Sequence, residues 1–116
     1  MNPSTPTFRI EIVDAASGAR IIQIHGALNL QTLFDFQSAV RQPSTRPLIL
    51  DFTGVPYMDS AGLGSVISTF TNCQAQNRGF ALIGISDRLQ SLLAVTGVSG
   101  FLPCFASLEL AEASFR

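Results

Sequence analysis

The run Met58-Asp59-Ser60-Ala61-Gly62-Leu63-Gly64 sets a carboxylate, a hydroxyl and two glycines just after a short apolar stretch, Leu48-Ile49-Leu50-Asp51-Phe52. The pattern reads as a strand, a loop and the start of a long helix. Backbone N–H groups converge at a helix N-terminus and favour negative charge there. Ser60 is therefore a candidate for receiving a phosphate. The plainer alternative is that Asp59 or Ser60 simply caps the helix, which is worth roughly 1 kcal/mol.

Other chemistries fit these residues poorly. A nucleophile elbow needs glycine two residues before and two after its serine. Met58 fills the first position, and His25, the one histidine that might serve as a base, lies in an apparent strand. There it reads more naturally as a satisfied core residue. The chain has no lysine, which removes both the phosphate-binding P-loop and Schiff-base catalysis. Gly62-Leu63-Gly64 opens a dinucleotide-like fingerprint, but Ile67 stands where the third glycine belongs. Asp51 and Asp59 both fall at the expected C-terminal edge of a sheet, yet capping and turn formation account for each alone. Cys73 and Cys104 lack metal-ligand spacing and, with one histidine, cannot make a zinc set. They read as core thiols in a reducing compartment. No catalytic residue, cofactor or metal is expected.

Composition narrows the class further. At 116 residues and 47% hydrophobic, the chain is long enough for one buried core, so residues 1–116 are read as a single domain. Only 13% of residues are charged, about half the usual share, which favours a surface partly covered by a partner. A net charge of -1 offers no basic field for nucleic acid. No apolar run is long enough to span a membrane, and residues 1–6 show neither a basic start nor an apolar signal segment. They read as a disordered tail, and a cytoplasmic location follows.

The elements around Ser60 can be placed by periodicity. Phe8–Val13 alternates as a half-exposed strand, and Arg20–Gly26 returns as its antiparallel partner across a turn at residues 14–18. Asn29 reads as the N-cap of a helix running through Arg41, with Leu33, Phe34 and Val40 inward. Leu48–Phe52 reads as a central strand. The helix from Ser60 ends by Gln76 or Asn77, with Gly79 as its stop. Leu63, Val66, Ile67 and Phe70 form its buried stripe; Gly64, Ser65, Ser68, Thr69 and Asn72 form an uncharged face that suits close approach by a partner. Phe80–Ile85 reads as another strand. Asp87 with Gln90 resembles a capping box for a helix closed by Gly97. Phe101-Leu102 reads as a short last strand, and Ser107 as the cap of a terminal helix carrying Leu108, Leu110 and Ala111. The sum is an α/β fold. It has a mixed, mostly parallel sheet of four to five strands, an opening β-hairpin, and helices packed on the sheet.

The sequence resembles the STAS family, the sulfate-transporter and anti-sigma-factor-antagonist domains, from about Phe8 to Phe115. Asp59-Ser60-Ala61-Gly62-Leu63-Gly64, preceded by Leu50-Asp51-Phe52 and Val55–Met58, is similar to the family's strand, loop and "M-D-S-[SA]-G-[LI]-G" helix start. Gly26-Ala27-Leu28-Asn29-Leu30-Gln31-Thr32 is similar to its "G-E-L-D-x-x-T" segment, with Ala27 and Asn29 in place of the acids. Gly97–Phe101 and the helix at 107–113 resemble its ending. The resemblance implies a stand-alone anti-sigma factor antagonist whose serine, here Ser60, is phosphorylated by an anti-sigma factor that is also a serine kinase. It implies a docking surface made of the Asn29–Thr32 loop, Asn29 and Thr32 above all, with Asp59, Ala61, Gly62, Leu63, Gly64, Ser65 and Ser68 of the helix start. Two other roles stay open within the family. One is an accessory subunit docking on the ATPase of a membrane transport complex; the other is a scaffold not regulated by phosphorylation.

Overall fold

Alternating side chains build the sheet. The computed structural model describes residues 8–116, so the tail expected over residues 1–6 lies outside it. Strands β1 (Arg9–Asp14), β2 (Arg20–His25), β3 (Leu48–Gly54) and β4 (Phe80–Ile83) pair in the order β1-β2-β3-β4. β1 and β2 are antiparallel; β2, β3 and β4 run parallel. Helices α1 (Leu33–Val40) and α2 (Ser60–Ala75) make the two crossovers. Two right-handed crossovers stepping the same way along a sheet put both helices on one face. The core there joins Ile22, Ile24, Leu50 and Phe52 to Phe36, Val66 and Phe70. Helix α3 (Asp87–Val95) adds Leu89 and Leu93 to the same layer. Helix α4 (Leu108–Ala113) lies on the opposite face, where Ala111 packs with Ile49, Ala81 and Ile83. No helix among the described residues is long and apolar enough to cross a membrane.

The mixed four-stranded sheet and opening hairpin match the expected architecture, but several local details differ. Asn29 does not cap α1. Its side-chain oxygen accepts from the N–H of Gln31 (3.0 Å) and of Thr32 (3.2 Å), closing a turn before the helix begins. The inward residues of α1 are Phe36 and Ala39 with part of Val40, while Phe34 is 76% exposed. In α2, Ser65 and Thr69 are buried and Ile67 only half-buried, so the open face is narrower than expected. Helix α2 ends at Ala75 with Gln76 as its C-cap, close to the expected end, but the residue that stops it is Asn77 rather than Gly79: Asn77 takes φ 54°, and Arg78 N–H bonds back to Cys73 O at 2.8 Å. β4 ends at Ile83, two residues early. Ser86, not Asp87, caps α3, accepting from Leu89 N–H at 3.2 Å. Gly97 closes α3 as expected, at φ 79°.

Phe101-Leu102 forms no strand. Leu102 is buried in the main core, and Phe101 meets Phe70 edge-on at 5.1 Å. The chain touches the sheet two residues later, where Cys104 bridges to Leu82. Leu82 N–H donates to Pro103 O and Phe105 N–H donates to Leu82 O, both at 2.9 Å. Ser107 does cap α4, accepting from Leu110 N–H at 3.2 Å.

The register of α1 is open to measurement. Phe36→Ala is expected to cost about 3–5 kcal/mol in urea unfolding. Phe34→Ala is expected to cost less than about 0.5 kcal/mol. Equal losses would contradict the helix orientation described here.

Candidate phosphate-acceptor and docking site

The loops leaving β2 and β3 meet at the C-terminal end of the sheet. Leu28 N–H donates to Tyr57 O at 3.0 Å, and Asp59 N–H donates to Leu28 O at 3.2 Å. This single parallel bridge sets the Asn29 turn beside the start of α2. Thr32 holds the turn from within: its hydroxyl donates to Ala27 O at 2.8 Å and accepts from Asn29 N–H at 3.0 Å.

Asp59 joins the two segments. One carboxylate oxygen accepts from Gly62 N–H at 2.9 Å and so caps α2. The other accepts from Leu30 N–H at 3.2 Å. Gly62 lets them close: a Cβ there would overlap the Leu28 carbonyl oxygen and press on the Met58 side chain. Only glycine leaves room for the loop at this point.

With Asp59 as cap, Ser60 has no structural task. It is the first residue of α2, it is exposed, and its hydroxyl makes no hydrogen bond among the described residues. The helix dipole favours negative charge at this end, and the Asp59 carboxylate already answers part of it. No charged residue occurs anywhere from Ser60 to Ala75. Gly64 and Ser68 follow Ser60 at successive turns and are also exposed. Ala61, Asn29 and Thr32 are half-buried beside them. Gly62, Leu63 and Ser65, in contrast, face inward, so they shape this surface without presenting side chains to it. Ser65 and Thr69 line a polar groove of about 200 Å³ between α1 and α2.

Leu30, inside the loop that carries Asn29 and Thr32, is 68% exposed beside Asp59. One further exposed residue was not anticipated from the sequence: Phe34, in the first turn of α1. Taking Phe36 rather than Phe34 as the inward residue restores an i, i+3, i+7 stripe from Leu33 to Val40 and turns Leu30 and Phe34 outward. Tyr57, 45% exposed, borders the same loop and carries the Arg88 guanidinium 5.6 Å above its ring.

The remaining candidates are occupied elsewhere. Asp51 accepts from the Thr53 hydroxyl at 2.6 Å and from its N–H at 2.9 Å, so it shapes the end of β3 and makes no pair with Asp59. His25 lies on β2, where its Nε2 has no hydrogen-bond partner among the described residues and sits 3.7 Å from Glu11. It is not the satisfied core histidine expected. Cys73 and Cys104 are unpaired, and burial pushes both thiols up, away from the reactive thiolate.

Comparison with known proteins gives the family and the fold. A family model for the STAS domain matches residues 11–111, and the chain belongs to that family. An anti-sigma-B factor antagonist of Staphylococcus aureus is 27% identical over 84 residues, spanning 70% of this chain and 78% of that protein. An anti-sigma factor antagonist from Mycobacterium paratuberculosis superposes with a TM-score of 0.76 at 19% identity, covering 97% of this chain and 96% of that one. The Bacillus cell fate determinant SpoIIAA, solved in its phosphorylated form, superposes with a TM-score of 0.66 at 20% identity, covering 95% of this chain and all of that one. At such identities the two structures share the fold alone.

Gly62→Ala tests the close approach. It is expected to lower stability by roughly 2–4 kcal/mol despite alanine's better helix propensity. Thermal unfolding no different from wild type would contradict the contact with Leu28.

Proposed function

We propose that this chain acts in the cytoplasm as an anti-sigma factor antagonist, a binding protein without catalysis of its own. Its partner is an anti-sigma factor that is also a serine kinase. The unmodified surface around Ser60 docks on that partner; transfer of a phosphoryl group to the Ser60 hydroxyl ends the docking. The observation that carries this reading is the division of labour at the start of α2. Asp59 supplies the cap, and the adjacent hydroxyl stays exposed and unbonded. The S. aureus relative, named an anti-sigma-B factor antagonist, supports the partner class. A phosphorylated form of SpoIIAA supports the modification.

The energetics separate folding from binding. A phosphate adds about -1.5 to -2 charge. The helix terminus favours it by roughly 0.3–1 kcal/mol, while the neighbouring Asp59 carboxylate opposes it. Both effects are screened at an exposed position, so the fold is nearly indifferent. At a docked interface the same dianion loses its water. A penalty of about 4 kcal/mol there weakens binding roughly a thousandfold. Leu30 and Phe34 supply the apolar anchors that make the docked surface dry, and the uncharged stripe Ser60, Gly64 and Ser68 lets a partner approach α2 closely.

The test is binding to the host's anti-sigma factor kinase by calorimetry, with unfolding measured alongside. Ser60→Asp should lose binding with stability within about 0.5 kcal/mol of wild type. Ser60→Ala should bind and take up no phosphate. Phe34→Ala should weaken binding about tenfold or more. Equal binding by Ser60→Asp and wild type would remove the switch, and phosphate uptake by Ser60→Ala would place the acceptor elsewhere.

A further inference from the structure

Among the described residues, the sheet has one closed edge and one open edge. On β4 the outer edge is occupied at Leu82 by the bridge to Cys104. On β1 nothing among the described residues pairs with the outer edge. The hydrogen-bond phase of that edge follows from the hairpin. Ala15 N–H bonds to Ala19 O, and Arg20 N–H turns the other way to Pro47 O. The odd residues of β1 therefore bond to β2. Ile10, Ile12 and Asp14 turn their N–H and C=O groups outward. No proline, lysine or bulge protects this strand, and Ile12 and Val13 are exposed upon it.

The charges on β1 select what can pair there. Arg9 and Glu11 share the face of the sheet opposite α1 and α2, where α4 leaves β1 uncovered. They form an exposed ion pair at 2.8 Å. Asp14 is already engaged by Arg20, also at 2.8 Å, and that hydrogen bond holds its carboxyl below the usual range. In an antiparallel pair of identical strands, the two-fold axis stands perpendicular to the sheet, so directly opposite residues share a face. Centring the pair on Glu11 sets two carboxylates against each other. Centring it on Arg9 opposes two guanidinium groups. Centring it on Ile12 puts Ile10 against Asp14. Centring it on Ile10 alone sets Arg9 of each strand opposite Glu11 of the other and brings Phe8 against Ile12. Opposite charges facing each other stabilise a strand pair and like charges oppose it.

We propose that the β1 edge is a self-association surface. Two copies of this chain pair β1 to β1, antiparallel about Ile10, and extend the sheet across the dimer. Two reciprocal Arg9–Glu11 pairs and the outward N–H and C=O groups of Ile10 and Ile12 hold the contact. The surface includes none of the residues around Ser60, so the inference stands apart from the proposed kinase partnership. The contact is small, and its dissociation constant is expected on the order of 0.1 mM.

Sedimentation equilibrium of the full chain tests this. Wild type should approach twice the 12.4 kDa chain mass as concentration rises. Arg9→Glu and Glu11→Arg should each be monomeric while folded by circular dichroism. Mixed one to one, they should dimerise, because every opposed pair is again of unlike charge. Ile12→Pro removes an outward N–H without touching the bonds to β2, and should be monomeric. Wild type monomeric at about 1 mM would overturn the proposal. So would a dimer that survives both charge variants and Ile12→Pro, or a charge-variant mixture that stays monomeric.

Discussion

The Asp59 carboxylate reaches two backbone segments: Leu30 N–H, 29 residues before it, and Gly62 N–H, three residues after it. One oxygen answers the unpaired N–H groups that every helix start leaves behind. The other holds the loop after β2 against that helix. Neither bond is strong alone, since each replaces a bond to water and contributes roughly 1 kcal/mol, somewhat more for a charged acceptor. Their value is geometric. They fix where the first turn of α2 sits relative to Leu30 and Phe34, and they free Ser60 from capping. The missing side chain at Gly62 is the steric counterpart, admitting the Leu28 carbonyl where any larger residue would push the loop away.

Beyond Asp59 itself, α2 keeps charge away from that junction. Asp35 stands in the first turn of α1 and Arg88 lies over Tyr57, but no residue from Ser60 to Ala75 is ionised. An uncharged, small-residue surface has little hydration to lose when it is covered, so docking on it is cheap. A dianion introduced at its edge changes that sharply. The same placement leaves the interior untouched, because Ser60 contributes nothing to the core. On the proposed reading, binding and folding respond to one modification on different scales.

Much of the fold was legible in the sequence. Alternation and apolar runs gave four strands in order, and the stretch from Asp51 to Gly64 marked the junction that carries the candidate site. The misreadings share a physical cause: short polar side chains satisfy whichever backbone groups tertiary structure brings near, and spacing cannot see which. Asn29 closes its own turn instead of capping α1. Ser86 outcompetes Asp87 by one position. Asn77 adopts the left-handed backbone that Gly79 was expected to supply, while Gly79 is kept small by the Phe115 ring. Phe34 and Phe36 are both aromatic on an eight-residue helix, and two turns are too few for periodicity to choose between them. That choice decided whether Phe34 lay buried or on the proposed docking surface.

Amide hydrogen exchange at Leu30 and Gly62 tests the junction most directly. In wild type both amides should be protected by the shared carboxylate. In Asp59→Ala both should lose protection together by about tenfold or more, while amides of β3 such as Leu50 keep theirs. If Leu30 exchanges at the wild-type rate in that variant, Asp59 does not join the two segments, and the account of how Ser60 is presented fails.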